Sequence, residues 1–184
     1  MSGSTTGLLW SVKSSFLRYI ATMADGRCSA TDGADAVPSQ DGGHGRFRFV
    51  LDSVEDKGTT VTARFRGDVR FSGHHGLLFV RLADPVLTFD ASGNGVLSVA
   101  GADGPGYLPL ARLTVTAAEA GRWRGTEVRL TDSGSDMFGG VYPQREPFDD
   151  LVLDLPTPVR LSSEPPPPSA GVRPTTAPST RSNR

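Results

Sequence analysis

The stretch Val61-Thr62-Ala63-Arg64-Phe65-Arg66-Gly67-Asp68-Val69-Arg70-Phe71 alternates with a period of two. Val61, Ala63, Phe65, Gly67, Val69 and Phe71 are small or apolar, and the residues between them are polar or charged. Successive side chains of a strand point to opposite faces, so this pattern predicts one half-buried antiparallel strand. Working outward, residues 46–51, 77–82, 86–89, 96–100, 110–116, 127–130 and 151–155 have the same character in shorter form. Asp90-Ala91-Ser92-Gly93-Asn94-Gly95 supplies the turn chemistry of a hairpin between two of them. Toward the N-terminus the period changes: Leu9, Val12, Phe16, Tyr19 and Ile20 recur at spacings of three and four, opposite Lys13, Ser14 and Arg18. That spacing predicts an amphipathic helix, capped at Thr5 or Thr6 and stopped at Gly26. Many short strands, glycine-rich turns and one short N-terminal helix predict a mainly β chain, a sandwich or a barrel.

The 184 residues carry 19 Lys and Arg against 20 Asp and Glu, a formal charge of −1. So even a balance lacks the basic excess that draws proteins onto nucleic acid. A chain of this length buries roughly two thirds of its unfolded surface in one core. The sequence divides accordingly into a body, 5–163, and a tail, 164–184, that opens with Glu164-Pro165-Pro166-Pro167-Pro168. Such a tail cannot bury enough apolar surface to order itself; the reading is a disordered terminus, with a spacer or docking peptide as its functional alternative. Cys28 is the single cysteine, which excludes an internal disulfide or a cysteine-based zinc site. The first residues lack a basic segment followed by an apolar run, and no stretch is long enough to span a bilayer, so the chain as written is expected in the cytoplasm.

Phosphate loops, dinucleotide fingerprints and zincin motifs are absent from the sequence. Asp84, Asp90, Asp132, Asp136, Asp149 and Asp150 read as solvated turn residues. Histidine is confined to His44, His74 and His75, the last two in Phe71-Ser72-Gly73-His74-His75-Gly76 after the best strand. Adjacent strand residues face opposite ways, so one of the pair, not both, is expected to reach a given ligand. The tyrosines are Tyr19, Tyr107 and Tyr142. Tyr19 reads either as a core aromatic of the helix or as a phenol reaching a pocket between helix and sheet. A free phenol titrates near pKa ~10, so a metal-ligating tyrosine needs a metal or a histidine to stabilise its phenolate. Tyr107 reads as a turn-flanking residue and Tyr142, in Phe138-Gly139-Gly140-Val141-Tyr142-Pro143, as an aromatic loop anchor.

Taken together, Leu9-Trp10-Ser11-Val12-Lys13-Ser14-Ser15-Phe16-Leu17-Arg18-Tyr19, Phe65-Arg66-Gly67-Asp68-Val69-Arg70-Phe71-Ser72-Gly73-His74, Asp84-Pro85 and Phe138-Gly139-Gly140-Val141-Tyr142 resemble the successive signatures of the HtaA domain. The family takes its name from haem transport. The resemblance covers roughly residues 7 to 162. It implies an antiparallel two-sheet, sandwich-like β-domain with a short N-terminal helix, a pocket between helix and loops, and haem b bound there in the ferric state. It further implies that Tyr19 ligates the iron, that His74 hydrogen-bonds Tyr19, and that Tyr142 supports the pocket. A one-residue register shift would exchange His74 and His75. Beyond Tyr142 the family's glycine and acidic-proline step is replaced by Pro143-Gln144-Arg145-Glu146-Pro147.

Such a protein is a non-enzymatic module for haem uptake, storage or transfer, with a haem donor or acceptor protein as partner. Family members are usually exported or at the cell surface. The alternatives are a non-haem interaction or structural β-domain with a Pro-rich tail, and a haem enzyme using Arg145 or His75 as a distal group. Nothing in the sequence decides the oligomeric state.

Overall fold

The computed structural model describes residues 6–38, 45–102, 104–119, 121–156 and 159; the Pro-rich segment 164–184 and His44 lie outside them. In chain order the elements are β1 (Gly7–Trp10), α1 (Ser14–Thr22), β2 (Arg27–Thr31), β3 (Ala34–Val37), β4 (Arg46–Asp56), β5 (Thr60–Arg66) and β6 (Asp68–Gly73). A single 3-10 turn at His74–Gly76 leads to β7 (Leu78–Ala83), β8 (Val86–Asp90), β9 (Asn94–Ala100), β10 (Tyr107–Glu119), β11 (Arg122–Leu130), α2 (Asp132–Met137) and β12 (Leu151–Asp154).

The chain is mainly β, but the sandwich expectation is corrected. Neighbours run β1-β12-β11-β10-β9-β8-β5-β4, and β4 pairs back onto β1, so eight strands close into a barrel. The closing strand is the one the helical spacing concealed. Leu9 lies in β1, which pairs antiparallel with β12 through Leu9↔Val152 and with β4 through Leu9↔Arg48. A strand bonded along both edges leaves no open edge there, which is how closure replaces the two faces of a sandwich. Trp10, Phe49, Phe65, Phe89, Leu8, Leu87, Leu97, Leu151 and Leu153 are fully buried in one continuous core, in keeping with an eight-stranded barrel filled by side chains.

The alternating stretch 61–71 is not one strand. It breaks at Gly67 (φ +145°), where a Cβ would lie 2.7 Å from the Ala34 Cβ. The chain therefore leaves the barrel as β5 and re-enters pairing as β6 in a separate three-stranded sheet, β2-β6-β7. Alternation survives the break because both halves are half-buried: Val61, Ala63 and Phe65 face the barrel core, and Val69 and Phe71 are equally buried in the second sheet. At the joint Asp68 is 4% exposed and is held by Arg70 Nη2 at 2.8 Å and Arg81 Nη2 at 2.7 Å. The predicted hairpin forms as β8 and β9, its turn organised by Asp90, whose carboxylate accepts from the Ser92 and Asn94 N–H groups.

Candidate functional site: a cleft between helix α1 and the α2 loop

The predicted helix is shorter than its spacing suggests. The turn from β1 into α1 is made at Val12, which is buried and carries φ +64°, a conformation that β-branched residues rarely adopt. Helix α1 begins at Ser14 without a cap from its own Lys13. Instead Asp149 Oδ2 accepts from the Ser14 N–H at 2.9 Å and also contacts the Ser14 hydroxyl, while the Trp10 indole donates to the Asp149 carbonyl at 2.7 Å. A carboxylate at a helix N-terminus satisfies free N–H groups and opposes the helix dipole.

Phe16 and Ile20 form the buried side of α1. Tyr19, one turn from Phe16, is 45% exposed and so is not a core aromatic. Its hydroxyl lies 2.5 Å from His74 Nε2. When the phenol holds its proton Nε2 accepts; when the oxygen is a phenolate an Nε2–H donates.

The turn that carries His74 is strained. His74 and His75 have φ +51° and +56°, and their N–H groups donate to Asp25 Oδ1 at 3.2 Å and Oδ2 at 2.6 Å. These donors, His75 foremost, hold the Asp25 carboxyl below the usual carboxylate range. Just before the turn, Gly73 packs closely under the Met23 side chain, where an added Cβ would lie 2.6 Å from Met23 Cε and would displace that flexible thioether. Seven non-glycine residues carry positive φ among the described residues, and two of them, His74 and His75, form the turn that brings the imidazole to Tyr19.

Between α1, the start of β7 and the loop after α2 lies a cleft of about 570 Å³ lined by Phe16, Tyr19, His74, Leu78, Phe138 and Tyr142, among others. Leu77, Phe79 and Val141 at its mouth are 92, 57 and 73% exposed. The three site residues expected from the sequence thus share one cleft, in two different settings. Tyr142 is wedged among aromatic rings, with centroids 6.3, 5.8 and 5.7 Å from Phe16, Phe138 and Phe148, and Lys13 Nζ lies 5.5 Å from its ring. Burial pushes its phenol up, only partly offset by a bond with Ser15. His75 points away, its side chain 97% exposed. Arg145 is exposed, with its N–H bonded to the Leu130 carbonyl, and neither residue lines the cleft. Ile20 lines a second hollow of about 370 Å³ on the other side of α1, with Leu17, Cys28 and Phe47. No group of three or more His, Cys, Asp or Glu gathers as a metal cluster among the described residues. Sequence reasoning missed the apolar lining from Leu77 to Val80 and from Met137 to Val141, and it took Asp149 for a solvated turn residue. Phe138 to Val141 stand in a family signature that gives no hint of a lining role, whereas Leu77 to Val80 and Asp149 carry no local signature and matter through partners far along the chain.

The family model described as Htaa matches residues 5–154. The chain belongs to the HtaA family. That family is associated with haem transport. A crystal structure of the C-terminal domain of HtaA from Corynebacterium glutamicum is similar in fold, with a TM-score of 0.65 and 22% identity over 80% of this chain and 93% of that one. A domain-swapped dimer of a histidine-to-alanine variant of the same domain matches with a TM-score of 0.57 and 23% identity over 78 and 91%. No curated protein matches the chain.

Proposed function

We propose that this HtaA domain binds ferric haem in the cleft, with the Tyr19 oxygen as the protein's ligand to iron, and serves haem uptake, storage or transfer without turning it over. The observation that carries the reading is the 2.5 Å contact between the Tyr19 hydroxyl and His74 Nε2 at the wall of an open apolar cleft. A cleft of about 570 Å³ falls within the roughly 300–1,000 Å³ usual for small-molecule sites. Its aromatic and aliphatic lining suits a flat apolar macrocycle.

Iron supplies the Lewis acidity that favours an anionic oxygen; a hard phenolate favours the ferric state. The chain's own residues do the rest. As Tyr19 loses its proton, His74 Nε2 can take it up or, already protonated, donate to the phenolate and fix its direction. Asp25 holds the turn that aims His74. Phe16 and Phe138 supply packing, and Tyr142, whose phenol is pushed up by burial, supports the wall as a neutral ring.

The test is a hemin titration followed by Soret and charge-transfer bands. Wild type is expected to saturate with a high-spin ferric tyrosinate spectrum, Tyr19→Phe to lose it, and His74→Ala to bind more weakly with shifted bands. Size-exclusion chromatography should accompany His74→Ala, so that only the monomer is scored. Identical binding by Tyr19→Phe would overturn the assignment and favour a non-haem interaction domain. Peroxide or reductant added to the complex should leave the haem recoverable; its destruction in step with Tyr19-dependent binding would favour an enzyme.

A further inference from the structure

Haem carries two carboxylates as well as iron, and the composition of the cleft bears on where they go. Among the described residues its lining contains one acid, Asp136, and one imidazole, His74, but no lysine or arginine. Two cations near it are engaged. Lys13 lies over the Tyr142 ring and pairs with Glu146 at 3.1 Å. Arg81 lines an adjoining hollow that shares Phe79, Asp136 and Met137 with the cleft, and its guanidinium is bound to Asp68. Arg18, next to Tyr19, is exposed and not part of the lining. A carboxylate taken out of water without a partner is strongly disfavoured, and Asp136 repels a second negative charge on its side of the cleft. The mouth offers water instead, as the exposure of Leu77 and Val141 shows.

Resting on the haem reading above, we infer that the cleft selects the ferric metal and the macrocycle, and leaves the propionates in water at its mouth, away from Asp136. Its ligand class is then ferric porphyrins irrespective of carboxylate substitution. Metal and ring give the affinity; the acid groups give none.

The experiment titrates wild type with hemin and with the ferric porphyrin dimethyl ester, both added from dimethyl sulfoxide and read at the Soret band. The two dissociation constants are expected within about threefold of each other, whereas a cationic clamp would make the diester weaker by about 30-fold or more, overturning the inference. Tyr19→Phe should lose both ligands; a diester signal that persists would mean partition onto apolar surface and would also overturn it. Asp136→Lys, on an exposed helix position, should tighten hemin by about three- to fivefold and leave the diester unchanged. No change for either ligand would remove Asp136 from the orientation argument and overturn that part. Failure of wild type to bind hemin at all is a different outcome, which sinks the haem reading itself.

Discussion

The two walls of the cleft each present a tyrosine, and the walls are built on different principles. Tyr19 stands on a helix whose N-terminus is capped from the far end of the chain, half exposed, facing an imidazole held on a left-handed turn. Tyr142 stands in a loop whose rings interlock, Phe138 with Phe16 at 5.3 Å and with Phe148 at 5.1 Å. The first wall is directed by polar contacts and stores strain; the second is fixed by apolar burial. The difference teaches that identical side chains can be held by unlike means, an exposed one by the polar contact of its oxygen and a half-buried one by the packing of its ring.

Removing the keystone of the packed wall should break the comparison most severely. Phe138 is 5% exposed and touches three rings, so Phe138→Ala should lose about 3–5 kcal/mol in urea unfolding. Tyr19→Phe deletes one oxygen from an exposed position and should change stability by less than about 0.5 kcal/mol. Comparable losses for the two would mean that Tyr19 is a structural residue.

Hemin affinity should reverse that ranking. Tyr19→Phe is expected to weaken binding by about 100-fold or more, about 2.7 kcal/mol. Tyr142→Phe keeps the wedged ring and loses only the hydroxyl, so its Kd should rise by no more than about threefold. Equal losses would make Tyr142 a second ligand.

How much of this was legible in the sequence follows the same division. Alternation at 61–71 announced β structure because burial of one face writes itself locally, as it does in each shorter strand. It gave no warning that Gly67 splits the run between two sheets, since both halves obey one period. Leu9 and Val12 fitted a helical spacing by accident of an apolar strand followed by a left-handed corner. Tyr19 and His74 were singled out by family resemblance, not by physics; 55 residues separate them, and only the fold brings them to 2.5 Å. The capping role of Asp149 and the anchoring role of Asp25 had no signal at all, because their partners are backbone N–H groups anywhere in the chain.

A smaller effect should come from the sheet that delivers His74. Asp68 lies on β6, and its carboxyl is held below the ordinary range, first by its bond to Arg70 and then by Arg81, against the opposing effect of burial. A depressed native pKa means that its stabilisation is complete above the unfolded value of about 3.9 and is lost as pH falls through the lower native value. Wild type should therefore lose stability below about pH 4, and Asp68→Asn should flatten that part of the pH profile. Near neutral pH the substitution should cost about 1–2 kcal/mol, less than a fully buried ion pair, because the Arg70 side chain is 49% exposed. An unchanged acid limb would show that the joint between the sheets does not depend on this charge.

The smallest effect concerns a residue that joins the two walls by a polar contact. Asp149 belongs to the chain that returns from the packed wall, yet its carboxylate caps α1, the helix carrying Tyr19. Asp149→Ala removes the acceptor for the Ser14 N–H and should cost about 1 kcal/mol; Asp149→Asn keeps an acceptor, loses the charge at the helix N-terminus, and should cost about half of that. Neither change removes the backbone contacts by which residue 149 holds the corner, the Trp10 indole bond at 2.7 Å and the bond from its N–H to the Val12 carbonyl at 3.0 Å. Tyr19 should therefore keep its position, and hemin affinity should fall by less than about threefold while the unfolding midpoint drops. A loss of affinity larger than the loss of stability would show that the cap aims Tyr19 as well as stabilising its helix, and that the walls are coupled through this carboxylate.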